Sequence, residues 1–428
     1  MKKKLIPFIT FITLQIVMLV LYKTAFISPL IFTCFICILY AVSLPKYLFS
    51  PQNIIFAYYF LWYGLAPAFA LRFQSYTFTT KEEKLAYLML FFTYGVSIVF
   101  LTLCESFFNE RAQLKKIQNE NFDKEKIGKI IKVSGIITLI SLVVFIYETG
   151  GISYWIMDSK MAFLTRQGAG AIYLAFTQSL MIFASAYGCL LYKNKSKLSF
   201  VGFTVLILLM YPFIGSKAKV ILIIFIGYGL FIINKKIISK WTFVSIISST
   251  IIFSIGIFQR NIGMKFAEFL PYTLNYFNTY EMFVTLLRDF KPSFLKTFFL
   301  PFNKVFLIFG RYNTVPFHDM SSWLTSIYYP TSWAIGATEQ WPIEADLYMS
   351  FYFILGIPIL LAYLTWISYA FYMARKRYLS WVLIYIMEFV FILSHYRGGI
   401  LIWWYLYLIP FYILVIVVYG KMNIPVDK

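Results

Sequence analysis

Long apolar runs separated by short basic hinges set the frame of this chain. Twelve such runs stand out, at roughly 5–22, 26–44, 53–71, 84–104, 133–147, 170–192, 198–214, 220–234, 241–258, 346–372, 379–396 and 400–419. A helix crosses the apolar layer of a bilayer in about 20 residues, and it satisfies its own backbone on the way. The pattern predicts an all-α polytopic membrane protein, about twelve transmembrane helices in a single integral membrane domain over 1–428. The first run follows Met1-Lys2-Lys3-Lys4 and resembles a signal peptide. No small-x-small cleavage site follows it and the second run starts almost at once, so it is expected to persist as the first helix.

Two stretches break the pattern. Residues 105–132 carry mixed charge and read as a helical linker without chemistry. The stretch from Gln259 to Asp346 is the one long segment that is not plainly a span. Its loop part, 259–345, is expected to contain short amphipathic helices, with the other helices forming a cage beneath it.

Composition agrees with the pattern. The chain is 61% hydrophobic and 13% charged, with mean hydropathy +0.75, against about 45–50% and roughly 25% in soluble domains. Charge then orients it. With the N-terminus in the cytoplasm, 22 of the 38 basic residues face the cytoplasm and 16 the other side, seven of these in the long loop. Long loops do not count in the positive-inside rule, so both termini, and the linker 105–132, are placed inside and the loop 259–345 outside. The net charge of +20 divides the same way, with most of it on the inner side. It reports topology and contact with anionic membrane lipids rather than nucleic acid. Cys34 and Cys37 share one face of an apolar run with no companion pair, which makes them core residues rather than zinc ligands.

Candidate chemistry gathers on the outer side. Arg166, Lys217, Lys219, Arg260 and Arg397 all fall at outer helix ends. A cation inserted near the bilayer centre costs roughly 2.5–3.5 kcal/mol unless it finds a partner. One outcome is snorkelling to lipid headgroups; clustered, the five suit a diphosphate, which arginine grips in bidentate fashion. Glu388 is the one acid well inside a run, and His395 lies seven residues later on the same helix face. Structural pairing and a catalytic or transport role both remain open for Glu388. His318 stands in the long loop, either packing it or serving as a base. Asp346 opens the tenth run, where the helix dipole alone favours an acid by about 0.3–1 kcal/mol. Glu339 and Glu344 precede it in an aromatic approach holding Trp323, Tyr328, Tyr329, Trp333 and Trp341. Carboxylates beside aromatic faces suit sugars; an interfacial aromatic belt is the competing reading. No metal constellation and no outer DxD stand out. Glycosyl chemistry here is expected to need no metal or cofactor, with cations neutralising a leaving diphosphate and a carboxylate or imidazole taking the hydroxyl proton.

The turn Gly215-Ser216-Lys217, the segment Ala345-Asp346-Leu347-Tyr348-Met349-Ser350-Phe351 with Gly356-Ile357-Pro358, and Arg397-Gly398-Gly399 carry a resemblance. With about twelve spans and one large outer loop late in the chain, the protein resembles the Wzy-type O-antigen polymerases over nearly its full length. Lys217 stands where that family usually has arginine, Asp346 where it has glutamate, Ser350 where it has asparagine and Tyr352 where it has glycine. The resemblance implies an enzyme of the bacterial inner membrane with its active site facing the periplasm. It would transfer a growing glycan from undecaprenyl diphosphate to an incoming lipid-linked repeat unit, without metal. On that view Arg166, Lys217, Lys219, Arg260 and Arg397 bind diphosphate. His395, Asp346 and His318, in that order, are candidate bases, and Glu339, Glu344, Trp333 and Trp341 contact glycan. The implied partners are undecaprenyl-diphosphate-linked glycans, membrane lipids and, as a further candidate, a chain-length regulator protein. An O-antigen ligase-like transferase and a lipid-linked oligosaccharide flippase are the alternatives. Against transport, the halves show no symmetry and the long loop falls asymmetrically late.

Overall fold

A computed structural model describes residues 2–24, 27–69, 80–112, 122–157, 161–162, 169–194, 197–215, 217–260, 264–303, 317–334, 338–401 and 405–424. Among the described residues the protein is helical, with no strand and three isolated bridge pairs. Its principal helices are α1 (Lys2–Thr24), α2 (Pro29–Val42), α3 (Pro51–Tyr59), α4 (Thr80–Ala112), α5 (Lys124–Glu148), α6 (Gly170–Asn194), α7 (Lys197–Leu209), α8 (Lys217–Ile232) and α9 (Lys240–Arg260). There follow α10 (Phe266–Phe277), α11 (Tyr280–Asp289), α12 (Met320–Tyr328), α13 (Ile343–Phe351), α14 (Ile357–Arg375), α15 (Leu379–Tyr396) and α16 (Tyr405–Tyr419).

Local signals explain several boundaries. Ser28 accepts a hydrogen bond from the Ile31 amide and Pro29 takes the first position of α2, where its missing N–H costs nothing. Asp123 caps α5 in the same way through the Lys126 amide. Each of the twelve apolar runs is largely helical over its described residues. Seven helices among them are long and apolar enough to cross a membrane, and four further apolar helices are shorter, at 10–17 residues. The tenth run differs from its expected form. It is split at Tyr352 and Phe353, both left-handed at φ 47° and 68°, so Asp346 belongs to the short separate helix α13 and the span begins beyond it.

Burial separates the helices into a centre and a periphery. In α15, 72% of residues in the apolar window are buried, against 17% in α5 and 11% in α9. Helix α15 touches α3, α8, α14 and α16. The exposed sides of α5 and α9 carry Leu139, Ile140, Val143, Ile246 and Ile251, an outward surface of the kind lipid covers. Small residues let the inner helices close up. At Gly188 of α6 an added Cβ would lie 2.2 Å from the Gly227 carbonyl oxygen of α8.

The long loop is built of short helices, and part of it is core. Phe283, Val284 and Leu286 of α11 are fully buried. Tyr280 donates to the Glu83 carbonyl oxygen at 3.1 Å and stacks on Tyr87 of α4, centroids 4.4 Å apart. Helix α10 instead leaves Phe266 and Leu270 exposed, an apolar side on a short helix as expected for an amphipathic loop element.

Candidate functional site

The site begins with a proline. Pro67 has no amide hydrogen, so the Tyr63 carbonyl loses its usual donor four residues on. The helix that follows α3 widens here into a π-helical stretch, Phe60–Leu65, and the Ala66 amide bonds back to Leu61, five residues away. The widening brings Tyr58 and Tyr63 together, hydroxyl to hydroxyl at 2.7 Å. Counting hydrogens fixes their order. Tyr58 donates to the Tyr396 carbonyl at 2.5 Å, so Tyr63 donates to Tyr58, and Thr279 donates to Tyr63 at 3.2 Å. The chain of hydroxyls thus runs from the long loop to the end of α15.

Glu344, in the first turn of α13, is fully buried against this cluster. Tyr59 donates to its Oε1, while Oε2 makes no hydrogen bond among the described residues. Burial pushes the carboxyl up to about 7, and the hydrogen bond from Tyr59 only partly opposes it. Arg397, just past α15, also reaches this cluster. Its guanidinium lies 5.8 Å from the centre of the Trp62 ring, and both it and Glu344 act electrostatically on Tyr58 and Tyr63. Arg397 makes no ion pair with a described residue.

Asp346, two residues on in the same helix, is differently engaged. Its Oδ1 accepts from the Thr297 hydroxyl and from Ser350 Oγ at 3.1 Å, and its Oδ2 accepts from the Ile400 amide at 3.0 Å. Gly399 permits this approach. It sits at φ +123°, and a Cβ there would meet Asp346 Oδ2 at 2.9 Å. Two of the three segments that carry the family resemblance, 345–358 and 397–399, are therefore joined through one carboxylate.

A second buried network lies deeper in the bundle. Glu388 accepts from Trp366 Nε1 at 3.0 Å, Tyr412 at 2.9 Å and Tyr405 at 3.4 Å. His395 Nε2 meets the same Tyr405 hydroxyl at 2.9 Å, and its ring packs on Tyr363 with centroids 4.2 Å apart. The expectation that both residues share one helix face holds. His395, the first of the expected bases, is fully buried, and Tyr363 and Tyr405 cover it.

The other expected residues scatter. Arg166 lies outside the described residues, as do the side chains of Lys217, which opens α8, and Arg260, which closes α9. Lys219 donates to the Tyr173 hydroxyl at 2.8 Å and sits over its ring. His318 is half-buried ahead of α12, with Nε2 3.8 Å from Asp319 Oδ2. Glu339 is half-buried and raised by burial. Trp333 packs on Phe317, centroids 5.6 Å apart. Trp341 is buried against Tyr328 and Tyr329, which corrects the expectation of an open stacking face, since protein rings occupy its surroundings. No group of three or more His, Cys, Asp or Glu gathers among the described residues.

The sequence reading passed over the tyrosines. A signal existed: Tyr58, Tyr59 and Tyr63 stand in the middle of an apolar run, and a buried phenol needs a hydrogen-bond partner. Compared with protein-family models, curated proteins and solved structures, the chain matches none.

Proposed function

We propose that the chain is a membrane glycosyltransferase of the O-antigen polymerase type. It joins undecaprenyl-diphosphate-linked repeat units on the periplasmic face of a bacterial inner membrane, with about twelve crossings and both termini inside. One observation carries the reading. Around a single tyrosine pair stand a guanidinium with no acid partner among the described residues and a buried carboxyl with a spare oxygen.

On this reading Arg397 binds the diphosphate of the donor. Its guanidinium neutralises charge as the bond between the anomeric carbon and the diphosphate oxygen breaks. The incoming sugar hydroxyl forms the new bond to that carbon and gives its proton to Glu344. Undecaprenyl diphosphate departs. Glu344 replaces His395, Asp346 and His318 as the favoured base. His395 Nε2 is engaged by the Tyr405 hydroxyl, the Asp346 oxygens are occupied, and His318 stands beside Asp319 ahead of α12. The loose motif matches and the five cations expected at outer helix ends support the substrate class.

The test is deletion of the gene, followed by gel analysis of surface polysaccharide with complementation by wild type, Arg397→Ala and Glu344→Gln. Single-repeat glycan with the ladder gone, unrestored by either variant at normal protein level, is the expected result. Full-length polymer left on its lipid carrier would replace the polymerase by a ligase. Lipid-linked units trapped on the cytoplasmic face would mean a flippase and overturn the site.

A further inference from the structure

We propose that Asp346 is a positioning residue: its carboxylate holds the turn Arg397-Gly398-Gly399-Ile400, and so presents Arg397, without itself taking a proton. The inference rests on the diphosphate role of Arg397 for its meaning, but not for its geometry.

The acceptor count makes the argument. A carboxylate accepts and does not donate. The Ile400 amide can only donate, so Oδ2 is held by that bond. Oδ1 receives the hydroxyls of Thr297 and Ser350. Ser350 Oγ in turn lies 2.6 Å from Thr297 Oγ1 and accepts the Thr297 amide at 3.2 Å. The Leu295 amide bonds the Ser350 carbonyl at 2.8 Å and so lays this loop segment along α13. Three pieces of chain far apart in sequence thus close on one group that is 3% exposed. Little of that carboxylate remains for a substrate hydroxyl. The free end of the joint is the turn: Gly398 and Gly399 both bond back to the His395 carbonyl, and the arginine lies between them and the helix. The backbone at 399 can approach the carboxylate only as glycine, as the 2.9 Å separation from a built Cβ requires.

A positioning carboxylate and a base give opposite results with asparagine. The side-chain oxygen of Asp346→Asn can still accept from Ile400, and its NH2 can donate to Thr297 and Ser350, whose hydroxyls rotate to accept. A base would be lost outright. Four variants decide the matter: Asp346→Asn, Asp346→Ala, Gly399→Ala and Arg397→Ala. They are compared by ladder intensity in the deletion strain, by binding of inorganic pyrophosphate to the purified full chain in detergent, and by hydrogen exchange at the Ile400 amide.

The expected result is that Asp346→Asn keeps the ladder and the pyrophosphate affinity within about threefold, whereas Asp346→Ala and Gly399→Ala each lower both by about tenfold or more, the worth of a lost hydrogen bond to a charged group. The Ile400 amide should exchange faster in the latter two and not in Asp346→Asn. Its exchange is read on any variant that folds, whatever the chain's activity. An Asp346→Asn variant as inactive as Asp346→Ala, with Ile400 still protected, would overturn the proposal in favour of a chemical role. If Arg397→Ala leaves pyrophosphate binding and ladder unchanged while the exchange results hold, the joint stands and the diphosphate reading falls.

Discussion

Glu344 and Glu388 are both fully buried among aromatic side chains, yet only one sits in a finished cage. Glu388 receives three donors, from α14 and α16, and both of its oxygens are engaged. It ties α14, α15 and α16 together and has its needs met within the bundle. Glu344 has one oxygen held by Tyr59 and the other unengaged among the described residues, and it shares the neighbouring Tyr58 with the cation Arg397. A buried polar group that is fully bonded stabilises or specifies a fold, whereas one left incomplete asks for an outside partner. Burial alone did not distinguish the two; the accounting of donors did.

That contrast can be broken in several ways, the largest first. Arg397→Ala should abolish polymer, and Arg397→Lys should restore little, because a point charge does not reproduce a bidentate grip. Glu344→Gln should lower activity by about a hundredfold or more, the usual range for a lost general base, with normal protein level in the membrane. Equal loss of activity in Glu388→Gln at normal stability would erase the distinction. Instead, Glu388→Ala should cost stability, about 1–3 kcal/mol for donors left unbonded, read as a lower melting temperature in detergent. Polymer made by the surviving folded protein should be of normal length.

The pH profile sharpens the same comparison. The Glu344 carboxyl is raised to about 7, so the folded protein holds its proton more tightly than the unfolded chain does. Its contribution to stability is full below the ordinary glutamate range and is lost as pH rises through about 7. Activity moves the other way, since a base works only when deprotonated, and should rise through the same interval. Tyr59→Phe removes a bond that lowers the Glu344 value, so the midpoint of the activity profile should move to higher pH. The smallest effect is expected from Tyr412→Phe, which removes one of three donors to Glu388 and should cost about 1 kcal/mol with an unchanged profile.

How much of this was legible in the sequence depended on the range of the interaction. The helices were, because apolar length is a local property, and so was the shared face of Glu388 and His395. The break at Tyr352 and Phe353 was not, since neither residue favours the left-handed region and packing enforces it. Glu344 was read as a sugar ligand rather than a base because its surroundings come from Tyr59 and Thr93, hundreds of residues earlier. Asp346 was read as a candidate base for the same reason in reverse: the donors that occupy it, Thr297 and Ile400, lie about fifty residues to either side. Trp341 looked like a sugar platform until Tyr328 and Tyr329 were seen against it.

The π-helical stretch at Phe60–Leu65 carries one residue more than an α-turn would hold. Such an insertion can be handed along a helix one step at a time, and each step turns the segment it passes by about 100°. Tyr58 stands just before the wide turn and Tyr63 within it. A register slip there would part the two phenols while α4 and α15 stayed where they are. The helix would act as a gear, and the hydroxyl chain from Thr279 to the Tyr396 carbonyl as the tooth it engages or releases.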